Sequence, residues 1–335
     1  LVIVPTVGLV TQMFHDFVEY GGSEWNARDH CHMLYSGKEK AARSEVVIST
    51  WQSLANMPED FFEQFGTVFG DEAHLFKSKS LKQIMSRLTK CPYRIATTGT
   101  LDGTLTHKLV IEGLFGPTKK VVTTKKLMER KLLSDLTIDC LMLSYNGSDR
   151  QQMRRTAYAD EIEWIVTDDR RNKFICELAE RVKGNTLVLF QFVEKHGKVL
   201  HEMLKDSTKP VHFVYGGTDA EQREQVRGLV ENSDDSIIVA SYGTFSTGVN
   251  IRRLNNIVFA SPSKSRVRVL QSIGRQLRKS DQKSTARLYD ICDDLSWKKY
   301  QNHTLRHFGD RKKIYDAEGF SYKVIAIPLQ GDRNE

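Results

Sequence analysis

Short apolar, β-branched runs alternate with longer amphipathic stretches along most of the chain. The runs predict strands at Leu1–Val4, Val46–Ser49, Thr67–Phe69, Tyr93–Thr97, Thr137–Leu143, Thr186–Phe190, Pro210–Val214, Ser236–Ala240, Asn256–Ala260 and Ala286–Asp290. Helical periodicity predicts helices between them, among them Leu9–Tyr20, Leu81–Thr89, Asn172–Val182, Glu194–Leu204 and Glu221–Asn232. Strands that are apolar throughout are buried on both faces, so their alternation with helices predicts parallel sheets covered on each side. The rhythm breaks between Gly116 and Arg171, where Gly116-Pro117, Lys119-Lys120, Lys125-Lys126 and the polar run Asn146–Arg155 intervene. The junction is placed there, with residues 1–120 in a first α/β domain and 121–335 in a second.

A length of 335 residues accommodates two such cores, and 40% hydrophobic with 27% charged residues is an ordinary globular composition. No apolar run approaches the roughly 20 residues of a membrane span, and no signal peptide opens the chain. No membrane partner is expected, and a cytoplasmic location is. The five cysteines are scattered, with no C-x-x-C pair, and read as reduced thiols. His30-Cys31-His32 has no second ligand pair near it in sequence and reads as a loop or strand edge. The net charge of +7 is unevenly spread. Residues 1–117 carry 11 Lys/Arg against 13 Asp/Glu, and residues 118–335 carry 38 against 29. The positive excess of the second part suits a polyanionic partner, or is simply a solvated face.

Two segments carry chemistry. In Thr67-Val68-Phe69-Gly70-Asp71-Glu72-Ala73-His74 an apolar strand delivers adjacent carboxylates to its carboxyl end, where ligands bind in open α/β sheets. Asp71 can hold Mg²⁺ through its water shell, and Glu72 can orient and deprotonate a water attacking a γ-phosphate. A polar turn after a strand is the plain alternative. In Gln271-Ser272-Ile273-Gly274-Arg275-Gln276-Leu277-Arg278, the two arginines three positions apart share one face of a helical turn. Two guanidiniums so presented suit developing triphosphate charge, with Gln271 adding an amide on the same side; a solvated basic helix is the plain alternative.

With these segments in this order, the chain resembles the superfamily 2 DEAH-type helicases, and within them the recombination DNA helicases of phages, over essentially its whole length. Other pieces carry the resemblance too. Val4-Pro5-Thr6 with Leu9-Val10-Thr11-Gln12, and Ser49-Thr50-Trp51-Gln52, are similar to nucleic-acid-contacting motifs. Thr98-Gly99-Thr100 is similar to the motif that couples hydrolysis to domain movement through His74. Leu187–Phe190, Tyr215-Gly216-Gly217-Thr218, and Ser241 with Thr247-Gly248-Val249-Asn250-Ile251 resemble motifs of the second domain. The resemblance implies two tandem RecA-like domains of the P-loop NTPase type, an ATP cleft between them, and ATP with Mg²⁺ as cofactors. It implies Asp71 and Glu72 at the metal, Gly248, Asn250, Arg275 and Arg278 at the nucleotide, and Gln271 beside the arginines. His74, Thr98, Gly99 and Thr100 would couple hydrolysis to movement. Pro5, Thr6, Gln12, Thr50, Gln52, Gly216, Ser241 and Thr247 would meet nucleic acid. The implied partner is branched or single-stranded DNA, with single-strand-binding or recombination proteins beside it, a monomeric state, and the host-cell cytoplasm if phage-encoded.

The residues themselves allow the same reading, since hydroxyls near strand ends can hold phosphates without reading bases. A helix N-cap is the bland alternative for any of these threonines, Thr11 included. Residues 297–323 interleave aromatics with 7 Lys/Arg against 3 Asp/Glu. There, burial of the rings is expected, with the lysines left as strand contacts. The G-x-x-x-x-G-K-[ST] phosphate loop such a motor needs is absent; Gly37-Lys38 and Gly197-Lys198 lack its other members. The chain opens on Leu1-Val2-Ile3-Val4 without an initiator Met, so the first domain is expected to lack its N-terminal part and to bind ATP poorly. Loss of a central strand would leave its two neighbours unpaired. A motor subunit of a restriction or remodelling complex, and a non-catalytic nucleic-acid-binding protein, remain alternatives, although no nuclease-type carboxylate–lysine cluster is evident.

Overall fold

The computed structural model describes residues 1–329 apart from 23–24, 36–43, 100, 102–103, 247–250, 252, 264, 266–268, 271 and 275–284, and apart from the side chains of 220, 245 and 246. Contacts divide the chain into two units, Leu1–Lys120 and Val121–Glu335. Among the described residues no helix is long and apolar enough to cross a membrane.

The first unit is built on strands β1 (Val2–Val4), β2 (Cys31–Leu34), β3 (Val46–Thr50), β4 (Thr67–Gly70) and β5 (Tyr93–Ala96), all parallel, in the order β2-β3-β1-β4-β5. β1 is central and buried along its length, as its Val-Ile-Val sequence requires. Successive side chains leave a strand on opposite faces. Leu1 and Ile3 accordingly join one cluster with Phe62, Val68, Phe76 and Leu81, while Val2 and Val4 join Val10 and Ile48 on the other face. Among the described residues the five strands form an unbroken ladder. β5 ends the order, and its Tyr93 and Ile95 are 68% and 51% exposed. β2 went unpredicted because its four residues Cys-His-Met-Leu are too short and mixed to show a period.

The second unit has β6 (Asp135–Ser144), β7 (Thr186–Phe190), β8 (Val211–Val214), β9 (Ile237–Ser241), β10 (Asn256–Phe259), β11 (Thr285–Asp294) and β12 (Tyr322–Pro328). All pair in parallel, in the order β12-β6-β11-β10-β7-β9-β8. Two apolar clusters cover the faces, one around Leu187, Leu189, Ile257 and Leu288, the other around Val188, Phe190, Val258 and Ile291. β12 lies inside the basic tail and was missed, its apolar positions being diluted by Lys323 and closed by Pro328. The tail otherwise forms a helix, His303–Glu318, with Phe308 and Tyr315 buried as expected of its rings.

Two buried ion pairs tie this unit together. Arg171 donates to both oxygens of Asp293, at 2.7 and 3.1 Å, and the Tyr145 hydroxyl donates to the same Oδ1 at 2.8 Å. Arg311, from the tail helix, donates to Asp290 Oδ2 at 2.8 Å and to the Ser263 carbonyl at 3.1 Å.

Candidate active site and nucleic-acid residues

β4 ends at Gly70, and the tightness of that end explains the glycine. A Cβ there would stand 2.7 Å from the Phe76 ring and 3.1 Å from Phe115. Asp71 follows at the carboxyl end of the strand, its amide donating to the Ile3 carbonyl of β1 at 3.0 Å. Its Oδ1 accepts from the Glu72 amide at 2.9 Å and from the Thr97 hydroxyl at 3.4 Å, whereas Oδ2 has no protein partner. Burial raises the Asp71 carboxyl above its usual range, and the Glu72 charge adds to this, while the two hydrogen bonds and His74 oppose it.

Glu72 sits at φ 53°, in the left-handed region that disfavours a side chain. Such an outlier persists only where its surroundings hold it, and it occurs often at functional sites. Here the hold comes from both sides: the Ala73 amide donates to the Thr97 carbonyl at 2.8 Å, and Glu72 Oε2 lies 3.3 Å from His74 Nδ1. The same His74 nitrogen is 3.1 Å from the Thr98 hydroxyl. The β4 end and the β5 end are thus bonded through Thr97, Thr98 and His74, and Gly99 follows, exposed. Thr100 lies outside the described residues. Sequence reasoning missed Thr97 as a partner of Asp71; its place directly before Thr98-Gly99-Thr100 was the available signal.

Two carboxylates with hard oxygen donors, one oxygen of Asp71 unpartnered, fit a hydrated Mg²⁺. Among the described residues no group of three or more His, Cys, Asp and Glu side chains is placed to hold a metal, so protein oxygens would supply only part of the shell and water the rest.

Three of the four hydroxyl residues expected at nucleic acid, Thr6, Thr50 and Ser241, prove to be helix caps. Thr6 accepts from the Leu9 amide at 3.3 Å, at the start of the helix Val7–Tyr20. Thr50 accepts from the Ser53 amide at 3.4 Å, and Ser241 from the Thr244 amide at 3.3 Å. Each stands where a strand hands over to a helix, so it presents backbone N–H groups there. Thr11 is not a cap; it lies inside the first helix, donating to the Val7 carbonyl at 3.4 Å. Pro5 and Gln12 are half-buried, and Gln52 is exposed on the helix Trp51–Ala55. Gly216 is exposed in a turn closed by the Thr218 hydroxyl, which accepts from the Tyr215 amide at 3.0 Å.

Gln271, Arg275 and Arg278, with Thr247, Gly248 and Asn250, lie outside the described residues. What leads into the arginine segment is described. After β10, the Ser261 hydroxyl accepts from the Gln191 amide at 3.0 Å and meets His196 Nδ1 at 2.9 Å. His196 Nε2 meets Asn172 at 3.1 Å, and burial pushes this imidazole well below its usual range. His196 belongs to a π-helical turn, Val193–Gly197, of the kind that recurs at functional sites. Sequence reasoning saw that stretch only as a helix.

Residues 1–103 match the family model "Type III restriction enzyme, res subunit", and residues 170–280 match "Helicase conserved C-terminal domain". The ATP-dependent DNA helicase UvsW of Enterobacteria phage T4 is 35% identical over 350 residues, covering 98% of this chain and 68% of that protein. The crystal structure of T4 UvsW matches with a TM-score of 0.53 and 32% identity, over 98% of this chain and 67% of that one. The ATP-dependent Type ISP restriction-modification enzyme LlaBIII bound to DNA matches with a TM-score of 0.67 over 99% of this chain and 28% of that one, at 16% identity. At that identity the likeness is one of fold.

Proposed function

The chain belongs to the superfamily 2 helicases, in the same family as phage T4 UvsW, and on that premise we propose that it is the motor part of an ATP-dependent DNA helicase or translocase. Residues 1–120 serve as its ATP-binding domain and 121–335 as its helicase C-terminal domain. The observation that carries the reading is the bonded set Asp71, Glu72, His74 and Thr98 at the ends of two adjacent parallel strands.

Asp71, through its unpartnered oxygen, is the metal-side ligand, and bound Mg²⁺ supplies neutralisation of phosphate charge. Glu72 holds and deprotonates the attacking water. His74 shares one nitrogen between Glu72 and Thr98, so a change in the Glu72 charge is felt at the Thr98–Thr100 loop, which is the coupling role. Arg275, Arg278 and Gln271, with Gly248 and Asn250, act on the triphosphate. The caps Thr6, Thr50 and Ser241, with Pro5, Gln12, Gln52, Gly216 and Thr247, hold phosphates of the strand. Branched DNA as substrate and the host-cell cytoplasm as location are proposed with it, on the resemblance to the recombination helicases of phages. The match of residues 1–103 to a restriction subunit favours, as second reading, the same motor driving a partner protein.

Glu72→Gln is expected to lower DNA-stimulated ATP hydrolysis about 10²–10⁴-fold while ATP binding persists, measured on protein that shows such hydrolysis with Glu72 in place. Unchanged turnover refutes the role of Glu72. The 335 residues alone contain no G-x-x-x-x-G-K-[ST] and are expected to turn over ATP poorly, so substantial turnover by them overturns that part of the reading.

A further inference from the structure

Two exposed basic pairs of the second unit are Arg154-Arg155, which no motif includes, and Lys298-Lys299, the first of the tail lysines left above as strand contacts. The structure brings them onto neighbouring turns. β6 and β11 are adjacent and in register to their carboxyl ends, Ser144 beside Asp294. The chain leaving β6 forms the helix Gly147–Gln152 and then the Arg154-Arg155 turn. The chain leaving β11 makes a tight turn, Trp297 and Tyr300 exchanging backbone hydrogen bonds at 3.0 and 2.9 Å with Lys298 and Lys299 at its tip. The two excursions are stitched together. Arg150 Nε donates to the Ser296 carbonyl at 2.6 Å, and His303 Nε2 lies 3.2 Å from the Thr156 carbonyl. Exposed Arg306 joins them, 2.7 Å from His303 Nδ1.

Three features set this surface apart from a merely solvated face. First, among the described residues none of the four in the two pairs has an ion pair or side-chain hydrogen bond. Most neighbouring carboxylates are committed elsewhere: Asp149 to Arg170 at 2.9 Å, Asp294 to the Ser296 amide at 2.9 Å, and Glu161 to the buried Asn302 and Thr304. Asp160 remains exposed beyond Tyr158. Second, the described chain has four non-glycine residues at positive φ, and two are Arg155 at 61° and Lys298 at 52°. Turns of this shape favour glycine, so a long cation at both places is carried against backbone preference. Third, both turns leave the carboxyl edge of the all-parallel sheet, the edge that also bears Gly216 after β8 and Ser241 at the end of β9.

We infer that Arg154, Arg155, Lys298, Lys299 and Arg306 form a docking surface for the phosphate backbone of duplex DNA, separate from the motif residues. This rests on the reading that the protein acts on nucleic acid. Duplex rather than single strand follows from the rings. Trp297 and Tyr300 are half-buried, with the Tyr300 hydroxyl fully enclosed, and Tyr158 is engaged edge-on with His303 and His307. Among the described residues these rings are tied into the fold, Tyr158 at 41% exposure included, whereas backbone contacts need only cations.

The test is Arg155→Gly with Lys298→Gly in the full chain, read by fluorescence polarisation on a labelled 30-base-pair duplex across a KCl series. Glycine suits both backbones, so the thermal midpoint should hold or rise. Each removed phosphate contact makes the slope of log K against log salt shallower by about 0.9 and weakens binding roughly eightfold at 0.1 M salt. The double variant is therefore expected to lose about 1.8 in slope, and Lys298→Arg to behave as the native chain. Parallel salt lines for native and double variant overturn the surface while leaving the proposed function standing. A loss confined to the matching single strand overturns the duplex assignment. A native chain that binds no nucleic acid at any salt overturns the functional reading itself.

Discussion

Arg311→Met should expose how the tail helix is fastened to the second unit. Arg311 is 1% exposed, and its guanidinium is the cation facing Asp290, itself fully buried. Asp290 Oδ2 also accepts from the Tyr315 hydroxyl at 2.9 Å, but Oδ1 has no hydrogen-bond partner, so nothing stands ready to replace the lost donor. Breaking one side of a buried pair destabilises by about 3–5 kcal/mol, because the other charge stays behind without compensation. For a domain of this size each kcal/mol moves the midpoint by roughly 2–4 °C, so the second unit should melt about 6–20 °C earlier. The Ser263 carbonyl loses its donor in the same substitution. Thermal and urea unfolding, followed by circular dichroism, measure the effect, with Arg311→Met/Asp290→Leu completing a double-mutant cycle. Removing both charges should recover most of the loss, since the desolvated carboxylate is gone. A single-variant loss below about 1 kcal/mol, or a double variant no better than the single, refutes the reasoning.

Burial raises the Asp71 carboxyl, so protonation is easier in the folded chain than in the unfolded one. Its contribution to stability is full below the ordinary value of 3.8 and is lost as pH rises through the raised value. Asp71→Asn, neutral at every pH, should melt above the native chain at pH 7 and lose that advantage in acid; equal midpoints at both pH values count against the assignment. His196 behaves in the opposite sense. Its imidazole is held neutral by burial, so the folded state loses stability as pH falls through the ordinary value of 6.5. The loss approaches about 1.4 kcal/mol per pH unit. His196→Gln keeps hydrogen-bonding capacity towards Ser261 and Asn172 without a titrating proton. Its denaturant midpoint should decline less steeply between pH 6.5 and 5, and parallel curves exclude His196 as the titrating group.

The strands of both sheets, other than β2 and β12, were legible because a strand buried on both faces writes its burial into consecutive apolar residues, as in Val2–Val4 and Thr186–Phe190. Asp71-Glu72-Ala73-His74 was legible for a related reason: carboxylates directly after such a strand have one place to go, its carboxyl end. Local pattern determines local structure, and little more. Whether Thr6, Thr50 and Ser241 capped helices or stood free depended on where each helix began, which the apolar period leaves open by a turn. That Thr97 would bond Asp71, or that Arg155 and Lys298 would share a surface, depended on β4 lying beside β5 and β6 beside β11. Strand order is set by the joint packing of helices on both faces, a property of the whole domain, and no window of the chain carries it. The residues of the site were written in the sequence; which of them are bonded to one another was decided by the sheet.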